Sequence, residues 1–165
     1  MFYEDVFREL DRRGVRYVVV GGVALVLHGV VRLTVDLDLM VHLEPANVAE
    51  FVSAMEQLGY RPRVPVPASA LASPEHRARW IEEKGMTVFS FFHPSDHGKI
   101  VDVFVDEPIS FRDVDAEKTV REAAGIRIPV VSIRHLKLLK ARAGRPQDVA
   151  DIAALESIER LGLES

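Results

Sequence analysis

Apolar and polar positions along the chain change period several times, and each change marks an element. Over residues 2 to 13 the apolar positions Phe2, Val6, Phe7 and Leu10 fall at helical spacing, and Gly14 follows where a helix stops. Tyr17 to Val20 is continuously apolar and reads as a buried strand. Val23 to His28 predicts a short apolar helix that starts at Gly21-Gly22 and is closed by Gly29. From Leu33 to Val41 the period drops to two. Leu33, Val35, Leu37, Leu39 and Val41 alternate with Thr34, Asp36, Asp38 and Met40, a strand with its carboxylates on the less apolar face. Pro45 to Leu58 returns to helical spacing through Val48, Phe51, Val52, Met55 and Leu58, with Gly59 as terminator.

The second half is less regular. Residues 61 to 74 carry Pro62, Pro65, Pro67 and Pro74 among alanine and serine and predict a surface loop, with a short helix over Pro74 to Glu83. Met86 to Phe92 and Ile100 to Val105 read as two strands of a hairpin, joined by the polar turn His93 to Gly98. Ala116 to Ala124 predicts a helical turn or two, and Ile126 to Val131 a short strand. Ser132 to Leu161 is helical except near Gly144-Arg145-Pro146, with Ser132 as a cap and Pro146 in the first turn of the last helix.

The chain has 165 residues, 48% of them apolar and 28% charged, which suits one globular domain with a real core. We expect a catalytic core sheet over 1–112 and a helical portion over 113–165. No run approaches a membrane span, and Glu4, Asp5, Arg8 and Glu9 fill the place of a signal-peptide apolar region, so a cytoplasmic protein with no membrane partner is expected. The absence of cysteine excludes thiolate metal sites, disulfides and a cysteine nucleophile. A net charge of −4 gives no global basic footprint for nucleic acid, although a local patch can still dock one phosphate strand.

The chemistry concentrates in residues 21 to 38. On a strand, side chains at i and i+2 share a face about 6.6 Å apart, so Asp36 and Asp38 project side by side and attract cations. The Gly21-Gly22 pair lets backbone amides approach a polyphosphate closely. Asp102 lies inside the apolar strand Ile100 to Val105, where an ionised group is costly unless paired or bound to a cation. With that strand beside Asp36-Leu37-Asp38, three carboxylates converge and suit two Mg2+ ions, which favour oxygen ligands and keep substrate phosphates in their shell. The alternative for Asp102 is pairing with a buried arginine.

This order of elements resembles the nucleotidyltransferase superfamily with the polymerase β palm fold: a hydrophobic strand, Gly-Gly, Asp-x-Asp, and a later Asp on another strand. More narrowly, Gly21 to Gly29, Arg32 to Asp38, and Leu136 to Arg142 followed by Gly144 to Asp148 and Asp151 are similar to the AbiEii group of toxin nucleotidyltransferases and their small relatives. The resemblance implies an α/β (α+β) fold, a small mixed sheet flanked by helices with a C-terminal helical subdomain. It implies Asp36, Asp38 and Asp102 as ligands of Mg2+ or Mn2+, and Asp102 also as base for the acceptor hydroxyl. Gly21 and Gly22 fall at the triphosphate, and Lys140, or else Lys137, meets the nucleotide phosphates, as a lysine point charge can. Arg32 and Thr34 are further candidates there, with Arg32 as a surface residue the alternative.

The reaction so implied is transfer of a nucleoside monophosphate from an NTP to a hydroxyl, with release of pyrophosphate. Acceptors to consider are tRNA, a cognate protein or a small molecule such as an aminoglycoside, and an antitoxin is a candidate partner. The contrasting reading is a non-catalytic module of the same fold that binds nucleotide or a partner. Bland readings exist for the other polar residues. Lys140, Arg145, Asp148 and Asp151 suit a solvated helix face, or Asp148 and Asp151 hold the C-terminal helices against the site. His93 and His97 read as turn residues, His28 as a partner of local carbonyls, and Trp80 with Arg77 and Arg79 as an amphipathic helix rather than a nucleic-acid grip.

Overall fold

The computed structural model describes residues 2–162. A seven-stranded mixed sheet runs in the order β3-β4-β5-β2-β1-β7-β6. Its centre is β1 (Tyr17–Val20), buried at every position and therefore apolar throughout. On one side β1 pairs antiparallel with β2 (Leu37–Val41), matching Val20 with Asp38. On the other it pairs parallel with β7 (Ile126–Val130). Next to β2 lies β5 (Asp96–Phe104), parallel, with Asp38 opposite Asp102. An antiparallel hairpin joins β5 to β4 (Val88–His93), and β3 (Arg61–Pro62) forms the edge.

Alternation assigns the two faces. Leu37, Leu39, Phe89, Phe91, Val101 and Val103 are buried and point to one layer, while Asp38, Ser90 and Asp102 point to the other. The first layer is built by α1 (Glu4–Arg12), α3 (Pro45–Gln57) and α4 (Pro74–Lys84). Phe51 meets Phe91 edge-on at 5.8 Å, and Trp80 meets Phe89 at 5.3 Å. Arg77 is buried beside them, donating to the Leu71 carbonyl at 2.6 Å, so neither it nor Trp80 is free to grip a strand. The opposite face is covered by α2 (Gly21–Leu27) and by the pair α6 (Ile133–Ala143) and α7 (Pro146–Leu161), whose side chains line a cleft together with Asp38. No helix among the described residues is long and apolar enough to cross a membrane.

Several elements differ from their expected form. β2 starts at Leu37, not Leu33, because β1 ends at Val20 opposite Asp38 and leaves the preceding residues without a partner strand. On the β5 side the ladder is intercepted by the Tyr3 phenol. Its hydroxyl donates to the Val35 carbonyl at 2.6 Å and accepts from the Ile100 N–H at 3.0 Å. Leu33 and Val35 are exposed, so their alternation does not reflect a core face. Phe2 is also exposed, and the first helix starts after Tyr3. The loop over 61–74 contains β3 and a short 3-10 turn, Ala68–Ala72. The hairpin turn is shorter than His93 to Gly98, because β5 already begins at Asp96.

The largest correction concerns 116–124. A helix, α5, spans Phe111–Glu117, but Thr119–Ala123 is a strand, β6, paired antiparallel with β7. Ala124 and Gly125 both take positive φ, 51° and 74°, the two-residue turn whose twist matches a hairpin. Val120 is 40% exposed, so this edge strand buries little on its outer face and its composition carries no clear strand period.

Candidate active site

A cleft of about 820 Å³ opens where β2 and β5 run side by side beneath α2, α6 and α7. Asp36, Asp38, Asp102, Gly21, Gly22, Arg32, Thr34 and Lys140 all line it, and so does Arg145. Asp36 sits in the bend just before β2 rather than within the strand, yet still faces the cleft. Lys137 is not brought there. It turns outward to Glu159 on α7, 2.7 Å away, and does not line the cleft.

The diglycine has a local purpose. A Cβ on Gly21, whose φ is +67°, would lie 2.2 Å from Asp38 Oδ2, and one on Gly22 would lie 2.5 Å from Thr34 Oγ1. Only residues without side chains let the start of α2 close on Asp38 and Thr34. The Gly22 N–H donates to the Asp38 carboxylate. As the residues stand, the two glycines therefore cradle Asp38 and Thr34 directly.

Burial dominates the electrostatics of the acidic wall. It pushes the Asp38 carboxyl from the ordinary 3.8 up to about 7, helped by the Asp102 and Asp36 charges and opposed by Lys140 and the Gly22 N–H. Asp102 is also raised, chiefly by burial, while a 2.5 Å hydrogen bond from Ser90 Oγ and the charge of Arg63 act in the other direction. Among the described residues none of the three carboxylates forms an ion pair, so the alternative of a buried arginine on Asp102 is not realised. No group of three acidic or histidine side chains among those residues encloses an ion unaided. Hard oxygen donors repelling one another without a basic partner suit a divalent ion that takes its remaining ligands from substrate phosphates.

The opposite wall is basic and internally braced. Lys140, 8% exposed, reaches Asp151 at 3.0 Å and Asp148 at 3.5 Å, and both carboxylates are buried. Asp151 is shared with Arg32 from the loop before β2. Asp148 caps α7 by accepting from the Arg145 backbone N–H at 3.0 Å and from its Nε at 2.8 Å. The Arg145 guanidinium holds Asp148 below the usual carboxylate range. With Arg142, which also lines the cleft, four cations against these two carboxylates leave a net positive charge of two facing the acidic wall. Of the two sequence alternatives, Asp148 and Asp151 hold the C-terminal helices together at the cleft; they are not a solvated face.

A family model described as the nucleotidyl transferase AbiEii toxin of type IV toxin–antitoxin systems matches residues 7–164. The chain belongs to this family. Membership makes it a nucleotidyltransferase of the toxin class. No curated protein matches the chain in sequence. Among solved structures it is similar to the lincosamide antibiotic adenylyltransferase LnuA, bound to lincomycin, with 16% identity over 93% of each chain and a TM-score of 0.60. It is also similar to a nucleotidyltransferase-like protein from Paracoccidioides brasiliensis, with 16% identity over 94% of this chain and 72% of that one, TM-score 0.59. The antibiotic-resistance factor ANT(2'')-Ia gives 16% identity over 95% of this chain and 85% of its own, TM-score 0.57. These likenesses show the nucleotidyltransferase fold.

Some residues that shape the site of this AbiEii-family protein are not evident in its sequence. Tyr3 ties the approach to Asp36 to the strand of Asp102, and Ser90 holds one Asp102 oxygen. His28 does bond a carbonyl, but a distant one: its Nε2–H donates to Val131 at 2.6 Å, fastening α2 to the link between β7 and α6. A polar atom on an otherwise apolar element is the signal that points to Ser90 and His28; Tyr3, beside Glu4 and Asp5 at the start of α1, carries no such signal.

Proposed function

We propose that the cleft transfers a nucleoside monophosphate from an NTP to a hydroxyl acceptor and releases pyrophosphate. The observation that supports this best is the register of Asp38 beside Asp102, two raised and unpaired carboxylates facing a braced cluster of cations. In the reaction the acceptor oxygen bonds to the α-phosphorus while the bond to the bridging oxygen of the β-phosphate breaks. The hydroxyl proton passes to Asp102, which burial makes a stronger base than an ordinary aspartate. Lys140, with Arg32 and Arg145 beside it, meets the charge that grows on departing pyrophosphate. The Gly22 N–H and Ser90 keep Asp38 and Asp102 oriented.

Asp36, Asp38 and Asp102 would hold Mg2+ or Mn2+ together with the triphosphate, and the ion would neutralise phosphate charge and acidify the acceptor hydroxyl. The protein acts in the cytoplasm under control of an antitoxin partner. LnuA and ANT(2'')-Ia, by their descriptions, act on antibiotics, so a small hydroxylated acceptor stands beside tRNA and a cognate protein. The test is incubation with each α-labelled NTP, Mg2+, total tRNA, cell extract and small hydroxylated acceptors, comparing wild type with Asp38→Asn. Label in one fraction, from the wild type alone, supports transfer and names the acceptor class. Metal-dependent NTP binding with no label anywhere sinks it in favour of a binding module.

A further inference from the structure

The face of the sheet that carries Asp102 continues onto β4 and β3, away from the basic helices, and it ends in two arginines. Arg61 pairs in register with Phe92, and the Arg63 N–H donates to the Ser90 carbonyl at 2.9 Å. The edge segment alternates: Pro62, Val64 and Val66 are partly buried, the latter two against the core, while Arg61, Arg63 and Pro65 are exposed. Both arginines therefore stand on the face that carries Ser90 and Asp102. One cross-strand row runs Arg63, Ser90, Asp102, Asp38. β3 lies two strands from β5, about 10 Å away, and the Arg63 charge is felt at Asp102.

Neither guanidinium forms an ion pair or hydrogen bond among the described residues. Seven of the sixteen arginines, Arg8, Arg12, Arg13, Arg16, Arg32, Arg134 and Arg145, are each paired with a carboxylate; what sets Arg61 and Arg63 apart from the rest is their place on one face of the sheet, in line with Asp102. In a chain of net charge −4, two uncommitted cations side by side, in line with the reacting carboxylates, ask for an anionic ligand.

We propose that Arg61 and Arg63 form an acceptor-side subsite for phosphate, so that the acceptor carries a phosphate group near its reacting hydroxyl. This rests on the nucleotidyl-transfer reading, in which the triphosphate takes the Lys140 side of Asp38 and leaves the Asp102 side to the acceptor. A guanidinium matches phosphate oxygens in a fork geometry, and two of them two residues apart meet two anionic centres, or two faces of one. The same pair repels a polycation, so an aminoglycoside such as tobramycin, whose adenylyl form is in complex with ANT(2'')-Ia in one solved neighbour, is disfavoured here.

The phosphate belongs either to a nucleotide chain or to a small phosphorylated alcohol, and two probes tell these apart. A short fluorescein-labelled single-stranded RNA and ribose 5-phosphate are titrated against wild type and Arg61→Ala/Arg63→Ala at several salt concentrations, with NTP affinity measured in parallel. The expected result is a loss of at least tenfold in affinity for one probe. For the RNA, losing two phosphate contacts also reduces the slope of log K against log salt by about 1.4. Loss with RNA assigns a nucleotide chain, and loss confined to ribose 5-phosphate assigns a small acceptor. Unchanged affinity for both probes, or tighter wild-type binding of tobramycin than of either, overturns the proposal. Retained NTP affinity in the variant shows that its fold is intact. Failure of the wild type to bind NTP would instead strike at nucleotidyl transfer and leave the phosphate titrations readable.

Discussion

Replacing Asp38 by asparagine should stabilise the metal-free protein, and by an amount that grows with pH. The Asp38 carboxyl titrates near 7 in the folded state against 3.8 ordinarily, so the folded chain holds a proton that the unfolded chain has lost across that interval. Below pH 3.8 both states are protonated and the residue contributes nothing. As pH rises from 4 to 7 the wild type loses about 1.4 kcal/mol per pH unit, which sets a ceiling of about 4 kcal/mol above pH 7. Relaxation and water entering the cleft reduce this to about 2 kcal/mol. Asparagine stays neutral throughout and its carbonyl still accepts the Gly22 N–H. Urea unfolding of both proteins in EDTA at pH 5, 6, 7 and 8 measures the gap, since titrations remote from the cleft cancel in the difference. With Mg2+ and a non-hydrolysable NTP the order should reverse, because the wild type alone gains the binding contribution, about 2.7 kcal/mol at a hundredfold excess over Kd. A gap that is constant with pH, or an asparagine variant less stable at pH 8 in EDTA, would refute the electrostatic account of this wall.

Three other substitutions, with Gly125→Ala as a control, probe the frame around the carboxylates. Gly21→Ala places a methyl group 2.2 Å from Asp38 Oδ2 at a φ of +67° and should cost about 2 kcal/mol of stability and abolish labelling. Gly125→Ala, with similar φ but open space, should cost about 1 kcal/mol and keep activity; equal effects on labelling would dissolve the argument from close approach. Asp151→Asn strips Lys140 and Arg32 of a shared buried partner and should lower stability by about 3 kcal/mol, and an unmoved urea midpoint would show the pairing to be idle. Tyr3→Phe leaves the Val35 carbonyl and the Ile100 N–H without their bridge, at a cost of about 1 kcal/mol. Hydrogen exchange at the Ile100 amide should quicken selectively, and unchanged protection there would remove Tyr3 from the site.

How far the fold is legible in the sequence depends on how much local pattern each element needs. The core elements β1, α3, β7, α6 and α7 follow from apolar period and caps, and each is found close to its expected span. The order Gly21-Gly22, Asp36-Leu37-Asp38, Asp102 likewise leads to one cleft, since strand alternation fixes the face taken by Asp38 and Asp102, while Asp36 lines it from the bend before β2. What escapes is set by partners distant in the chain. Nothing near Leu33 announces that Tyr3 will occupy the ladder position beside Ile100, so the apolar alternation of Leu33 and Val35 overstates the strand. Thr119 to Ala123 forms a strand because β7 offers an edge and Ala124-Gly125 can turn back, not because its own residues alternate. Lys137 and Lys140 look equivalent along the helix; the position of Asp148 and Asp151 on α7 separates them.

The site joins two walls that would each be unfavourable alone. Asp38 and Asp102 are brought into register on buried strands, where burial raises both, neighbouring carboxylate charge adds to it, and no basic group pairs with either. The cations are held apart from them, tied to Asp148 and Asp151, so that Lys140 influences Asp38 through its field without collapsing onto it. Had Lys140 paired directly with Asp38, the cleft would be a satisfied salt bridge with no demand for a ligand. Because Asp151 and Asp148 occupy the ammonium first, the acidic wall keeps its deficit of positive charge and the basic wall keeps its surplus. The metal-bound triphosphate of the proposed reaction, cationic at one end and anionic at the other, would answer both at once. The helices α6 and α7 matter here less as a cover than as the brace that prevents the protein from neutralising its own active site.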